Sequence, residues 1–317
     1  MLFMKVRLDE SLSMTLLLSL ACSNDFLIEP IVEPSGSPYD TAAPLADTED
    51  TGVLEEPEEE PEEEPEEEEE QEPEEDDPAP EDDCEGTSDL VYVVSRGDES
   101  LYLFDPTSLS FTKLGALDCG WTGSPNSMAV SRDGLAYVRY SDETVYEVDL
   151  DTLDCTETTY NNGTFGSFGM GYATNDDQTW RDQLYIANAG ALATLDTDTW
   201  KLSGVAPMPS QSELTGNADG ELWAFLPLEK PAELIQVDKS SGSTLKRLQL
   251  PGFPDPADID AFAFATWDKD FYVFVRVYGM GSSTDVYKVD PQGNMTKVLG
   301  HIGFDVVGAG VSTCAPA

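Results

Sequence analysis

The chain has 317 residues, of which 63 are acidic and 16 basic, for a formal net charge of −47. That balance excludes nucleic acid as a partner, because phosphate binding requires clustered Lys and Arg, and it argues against a protein face laid on anionic lipid headgroups. Apolar residues make up 40% of the chain and aromatic residues 9%, too much for a disordered acidic polymer throughout, so two regions of opposite character are joined.

At the start, Lys5 and Arg7 precede the apolar run Ser11–Leu20, which is followed by Ala21 and Cys22. A basic start, a short apolar stretch and a small residue read as an export signal over residues 1–21. The stretch is too short to span a bilayer, which takes ~20 residues. The placement of Cys22 resembles the lipobox of bacterial lipoproteins, in which the cysteine is acylated and becomes the new N-terminus. Asp9 and Glu10 in the basic region, and Ser19 where Leu is usual, depart from that pattern. Ser23 after the cysteine, rather than Asp, implies by the same resemblance an outer-membrane lipoprotein of the bacterial cell envelope, facing the periplasm or the outside.

Residues 22–83 read as an acidic tether. Residues 23–87 hold 29 acids and no Lys or Arg, most densely over Glu55–Asp83. Within Glu55–Asp83 like charges repel, proline interrupts any helix ladder, and no large apolar side chain offers a core. The segment should be disordered, extended and partly polyproline II. At ~3.1 Å per residue its upper reach is roughly 200 Å. With an anchor at one end it becomes a spacer that lifts a domain off the membrane; otherwise it is a solubilising tail. Calcium capture by the Glu run is a weaker third use.

The five cysteines are Cys22, Cys84, Cys119, Cys155 and Cys314. Lipidation of Cys22 accounts for the odd one and leaves two bridges with three pairings open. Cys84 begins the folded region and Cys314 nearly ends it, so a Cys84–Cys314 bridge would tie the termini of one domain and leave Cys119 with Cys155. One His and no Cys-x-x-Cys pair argue against a zinc site.

Residues 84–317 contain a weak internal repeat. A strand ending in Asp, a turn and a further strand recur from Leu101, Val145, Leu192, Leu234 and Val286, with Asp105, Asp149, Asp196, Asp238 and Asp290 at corresponding places. A short carboxylate there accepts backbone N–H bonds and supports a tight hairpin turn; the rival is a calcium loop at Asp149, Asp151 and Asp154. Aromatic and β-branched strands precede each unit, from Asp89, Gly134, Gln183, Glu221 and Asp270. Before four of these lies a strand rich in small residues, from Asn126, Ser167, Glu213 and Asp260, suited to crowding round an axis. The first unit lacks one, and Val306–Cys314 at the chain's end supplies it. The expected fold is all-β: a five-bladed β-propeller with blades near 88–117 plus 304–314, 124–160, 166–206, 212–250 and 258–300. Six blades or a pair of sandwiches are the alternatives. Cys119 falls in a loop entering a blade and Cys155 near the start of an outer strand, so those two are expected toward opposite faces, which makes their bridge the less secure.

The segment Leu90–Leu114 resembles YVTN- or NHL-type propeller units. The whole chain is similar to propeller lipoproteins of myxobacteria and their relatives, which share a lipobox, an acidic Pro-rich tether and an end like Gly308–Pro316. That resemblance implies an architecture and no activity.

Chemistry is sparsely marked. His301 is the single histidine, and no Gly-x-Ser-x-Gly elbow accompanies it. Gly166–Gly171 has glycines but no Lys, and reads as an inner strand rather than a phosphate loop. Lactonase-type propellers hold calcium on the axis with acidic and Asn side chains; here Asn126, Glu213 and Asp260 precede or begin three inner strands, so their side chains are expected to reach the axial mouth. Solvated loop ends are the plain alternative for all three. The loops entering the blades carry Trp121, Tyr160, Phe165, Phe253 and Phe304. Trp121, Phe165 and Phe304 are the candidate recognition aromatics, although such rings can equally plug the spaces between blades. No cofactor is expected beyond Ca2+ at the axial acids. The expected role is a monomeric, membrane-anchored, surface-displayed binding module for an envelope or extracellular protein or glycan. The rival is a calcium-dependent propeller hydrolase or lyase. Residues 88–317 carry 32 acids against 14 bases, a net of −18, which points to neutral, cationic or metal-bridged partners.

Overall fold

A computed structural model describes residues 84, 87–120, 123–161, 165–175, 181–279 and 281–317. The export signal, Cys22 and the tether lie outside the described residues. So does Trp121.

Among the described residues twenty strands follow in chain order. The first three are β1 (Val91–Ser95), β2 (Ser100–Asp105) and β3 (Ser110–Ala116). Next come β4 (Pro125–Val130), β5 (Leu135–Tyr140), β6 (Val145–Asp149) and β7 (Cys155–Glu157). A third set is β8 (Gly169–Thr174), β9 (Asp182–Ala187), β10 (Leu192–Asp196) and β11 (Lys201–Ala206). A fourth is β12 (Glu213–Gly216), β13 (Leu222–Leu226), β14 (Ala232–Val237) and β15 (Thr244–Leu250). The last are β16 (Ile259–Trp267), β17 (Asp270–Val277), β18 (Asp285–Val289), β19 (Met295–Leu299) and β20 (Val306–Gly310). They form five antiparallel four-stranded sheets, the blades of a β-propeller. Among the described residues the one helical element is a 3-10 turn at Pro256–Asp258, and no helix is long and apolar enough to cross a membrane.

Four blades are consecutive in sequence. These are blade 2 (β4–β7), blade 3 (β8–β11), blade 4 (β12–β15) and blade 5 (β16–β19); blade 1 is β20-β1-β2-β3, with the C-terminal strand as its inner member. Its register runs antiparallel, Tyr92 opposite Gly310 and Val94 opposite Gly308. The Cys84–Cys314 disulfide holds this closure, with Cα atoms 5.9 Å apart and 230 residues between them in sequence. Cross-links over loops this long contribute roughly 2–5 kcal/mol.

Packing follows from the period of two. Along β1, Tyr92 and Val94 face blade 2, while Val91 and Val93 face blade 5. Along β13, Trp223 and Phe225 face blade 5, while Leu222, Ala224 and Leu226 face blade 3. A strand buried on both faces reads as a continuous apolar run. The five core clusters are the five blade-to-blade interfaces.

All five repeated aspartates make the expected turn. Asp105 Oδ1 accepts from the backbone N–H of Thr107 at 2.8 Å, and Asp149 from Thr152 at 2.8 Å. Asp196 does so from Thr199 at 2.7 Å, Asp238 from Ser241 at 2.7 Å and Asp290 from Gln292 at 2.9 Å. Side-chain donors at the same turns, Ser108 to Asp105, Thr199 to Asp196, Ser240 and Ser241 to Asp238 and Asn294 to Asp290, and at Asp149 the Thr152 backbone bond, hold the carboxyls below the usual range, Asp238 at about 2; the other backbone bonds add to the effect.

The second bridge forms as well: Cys119 is bonded to Cys155, Cα atoms 4.9 Å apart. The expectation that these two lie toward opposite faces neglected blade twist. Adjacent strands rotate by about 20–25°, so an outer strand lies roughly 60–75° off its inner strand. The end of β3 is thereby carried onto the outer hairpin of blade 2, where a Cβ on Gly115 would strike Leu153 and one on Gly120 would strike Tyr146. Cys119, next to Gly120, is delivered to Cys155.

At the axis the inner strands meet backbone to backbone. A Cβ on Gly169 would lie 2.7 Å from Cα of Glu213, and nearer still to the Ser212 carbonyl. One on Gly308 would lie 2.8 Å from the carbonyl carbon of Ser127. Gly204, on an outer strand, has nothing within 4 Å. Gly169→Ala is therefore expected to destabilise the domain by roughly 1–3 kcal/mol. Gly204→Ala should be neutral or stabilise by about 0.4–1 kcal/mol. Denaturant unfolding of the two variants checks this; equal effects would mean that the axis is not close-packed.

Candidate functional site

The strand starts converge on one end of the axis, the end opposite the five aspartate turns. There a cavity of about 160 Å³ is lined from all five blades: Asn126 of β4, Phe168 just before β8, Glu213 of β12, Asp260 and Phe262 of β16, and Val307 of β20. Arg96, just after β1, completes the wall, with Ser167 and Gln211. The three polar residues singled out in the sequence are thus brought together at the axial mouth.

Their oxygens are engaged. Asp260 Oδ2 accepts from Arg96 Nη2 at 2.9 Å and also from Arg276 Nη2. Asp305, just before β20, accepts at Oδ2 from Arg96 Nε at 3.2 Å and from Arg276 Nη1 at 2.7 Å. Its Oδ1 takes the Gly97 N–H at 2.7 Å. Two arginines and two aspartates therefore alternate in a closed quartet, with Asp305 only 3% exposed at its side chain. It joins blade 1 to blade 5 at the point where the ring closes.

Asn126 serves a different arginine. Its Oδ1 accepts from Arg139 Nη1 at 3.0 Å, and Arg139 Nη2 donates to the Gly166 carbonyl at 3.4 Å. The Arg139 guanidinium lies over the Phe168 ring, 5.0 Å from its centroid. The residue is 2% exposed, and burial lowers its pKa from the ordinary arginine value. Glu213 is 5% exposed and accepts from Ser127 Oγ at 2.9 Å. Burial pushes its carboxyl well above the ordinary range, against the opposing pull of Ser127 and Arg139.

This donor set does not fit the calcium arrangement. Asn126 Oδ1 and Asp260 Oδ2 face arginine nitrogens, and a hard cation would have to displace both. Among the described residues, no group of three or more His, Cys, Asp or Glu side chains is gathered to hold a metal ion. At Asp149, in the rival calcium loop, Oδ1 accepts the backbone N–H groups of Asp151 and Thr152 in its own turn. His301 is exposed and lies away from the cavity lining; its backbone N–H donates to Asp285 at 2.9 Å.

Of the candidate recognition aromatics, Phe304 stacks on Tyr102 at 4.2 Å and meets Phe111 edge-on. Phe165 meets Phe168 edge-on at 5.8 Å. Tyr160 and Phe253 are also in ring contacts, with Phe168 and with Phe225. These half-buried rings pack against the blade interfaces. The aromatics at the cavity itself are Phe168 and Phe262, which sequence reasoning passed over.

It also passed over the arginines, although a signal exists. Arg96, Arg139 and Arg276 occupy corresponding places at the upper end of the second strand in three of the repeats: VVSR, AYVR and VFVR.

No protein-family model matches the chain, and no curated protein matches it. Among solved structures, it is similar to a protein of unknown function from Bacteroides thetaiotaomicron, with 15% identity over 68% of this chain and 56% of that one, TM-score 0.40. A chain described as the extracellular domain of a hybrid two-component system from the same organism matches at 12% identity over 67% of this chain and 28% of that one, TM-score 0.36. This chain spans about half or less of their length.

Glu213 generates a pH prediction. Its folded pKa is raised, so its contribution to stability is fully present below the unfolded value. That contribution is lost as pH climbs toward the folded one. Glu213→Gln keeps an acceptor for Ser127 and carries no charge. It should match the wild type near pH 4 and become the more stable of the two above it, the gap growing by at most about 1.4 kcal/mol per pH unit. Thermal melts of both proteins from pH 4 to 8 test this; a gap that shrinks with rising pH refutes it.

Proposed function

We propose that the chain is a membrane-anchored, surface-displayed β-propeller that binds an envelope or extracellular ligand at its axial mouth. The carrying observation is that all five blades deliver side chains to one cavity there, from four inner strands and the residues leading into β8. Sites of this kind gather a few oriented polar groups in a concave, partly apolar setting. The quartet of Arg96, Arg276, Asp260 and Asp305 supports binding over hydrolysis, because it engages Asp260 and Asp305 in fixed ion pairs. The two disulfides are compatible with an exported protein. Display rests on Cys22 and on the 29 acids of residues 23–87, whose mutual repulsion favours extension.

Two measurements test this. Cys22→Ser should move the protein from the membrane fraction to the soluble fraction of cells. Retention in the membrane would refute the lipid anchor. Full-length protein carrying Ser167→Arg, a charge placed on an exposed rim position, should lose its ligand at least tenfold in quantitative capture from envelope extracts. Asp196→Ala, at a turn on the opposite face, should not. If both variants capture equally, the axial mouth is not the binding face.

A further inference from the structure

The charged groups at the mouth answer one another within the wall. Asp260 and Asp305 face Arg96 and Arg276, two acids to two bases. Arg139 is drawn back behind Asn126 and Phe168. The raised Glu213 carboxyl is held toward its protonated form, in which it both donates and accepts. What the cavity offers an occupant is therefore mainly planar hydrogen-bonding groups. Asn126 has its amide NH2 beyond the bond to Arg139, Gln211 has a whole amide, and Glu213 has a carboxyl. The half-buried Phe262 stands beside them as apolar surface, while Phe168, 2% exposed and covered by Arg139, backs the wall. Amides and a carboxyl presented next to an aromatic ring match a ligand that alternates hydroxyl groups with C–H faces. The volume, about 160 Å³, is below the roughly 300–1,000 Å³ of sites for drug-sized ligands. It suits a single ring or the terminal unit of a chain.

We propose that the axial cavity binds one neutral saccharide unit, free or at the end of a glycan, through Asn126, Gln211 and Glu213 with Phe262 against a C–H face. The inference rests on the axial mouth being the binding face and names what is bound there. Neutrality follows from the internal pairing of the charges and from the domain's net of −18, which repels sugar acids at long range. An adjacent carboxylate on the ligand would meet Asp260 as well.

The test is saturation-transfer NMR on the full-length protein with matched probes: D-glucose, D-galactose, D-mannose and N-acetyl-D-glucosamine, against D-glucuronate and D-galacturonate. At least one neutral sugar should bind in the millimolar range expected for so small a ligand. Its acidic counterpart should bind at least tenfold more weakly. Gln211→Ala, at a half-buried rim position, should weaken the neutral sugar by about tenfold or more with an unchanged thermal melt. Absence of binding by every neutral probe, equal binding of sugar and sugar acid, or binding unmoved by Gln211→Ala each overturns the proposal. If no sugar binds while Ser167→Arg still abolishes capture, the ligand class is wrong and the binding face right. If Ser167→Arg leaves capture intact, the binding face itself is wrong.

Discussion

Five inner strands lie side by side around one axis, close enough for backbone to touch backbone. Gly169 rests on Ser212 and Glu213, and Gly308 rests on Ser127. No Cβ fits at these contacts, so small residues are required where most strands would use large ones. Close approach leaves the cavity at the strand starts as a shallow cup and brings groups from all five blades within reach of one small ligand. It also explains why the last strand must return to the first blade. An open ring would leave β1 and β4 facing water with apolar surface, and β20 covers both.

The quartet of arginines and aspartates sits at that same junction. Arg96 comes from blade 1, Arg276 and Asp260 from blade 5, and Asp305 from the approach to β20. A half-buried ion network of this kind is strongly disturbed when one member is lost, because the remaining charges are left uncompensated. Closure is thus held by three different means. The β-ladder supplies backbone bonds, the Cys84–Cys314 bridge limits the unfolded chain, and the quartet orients the mouth.

Much of the architecture was legible because propeller blades repeat. A turn needs Asp at one place, an interface strand needs apolar residues on both faces, and an axial strand needs small ones. Each demand is local and leaves a mark five times over. The second bridge was less legible, because blade twist sets where Cys119 goes and no single strand displays it. The site was legible only as a location. Asn126, Glu213 and Asp260 were placed at the mouth from their positions at strand starts, but their partners come from other blades. Arg276 reaches Asp260 from the neighbouring strand, and Arg96 reaches it from a residue 164 positions away. The recurrence of Arg at the end of the second strand was readable, yet nothing in the sequence says that these side chains turn toward the axis.

The amino-acid sequence by itself determined the five-fold repeat, the closing role of the C-terminal strand, the Asp turns and the division of charge between an acidic stretch and a domain of ordinary hydrophobicity. These depend on neighbours in sequence or on composition. Only the tertiary structure decided that Asp260 is paired with arginines, that Tyr160, Phe165, Phe253 and Phe304 pack against the blade interfaces, and that Glu213 is buried beside Ser127. Those outcomes depend on distances between segments that are far apart along the chain, and such distances are set by how tightly the five blades close around their axis.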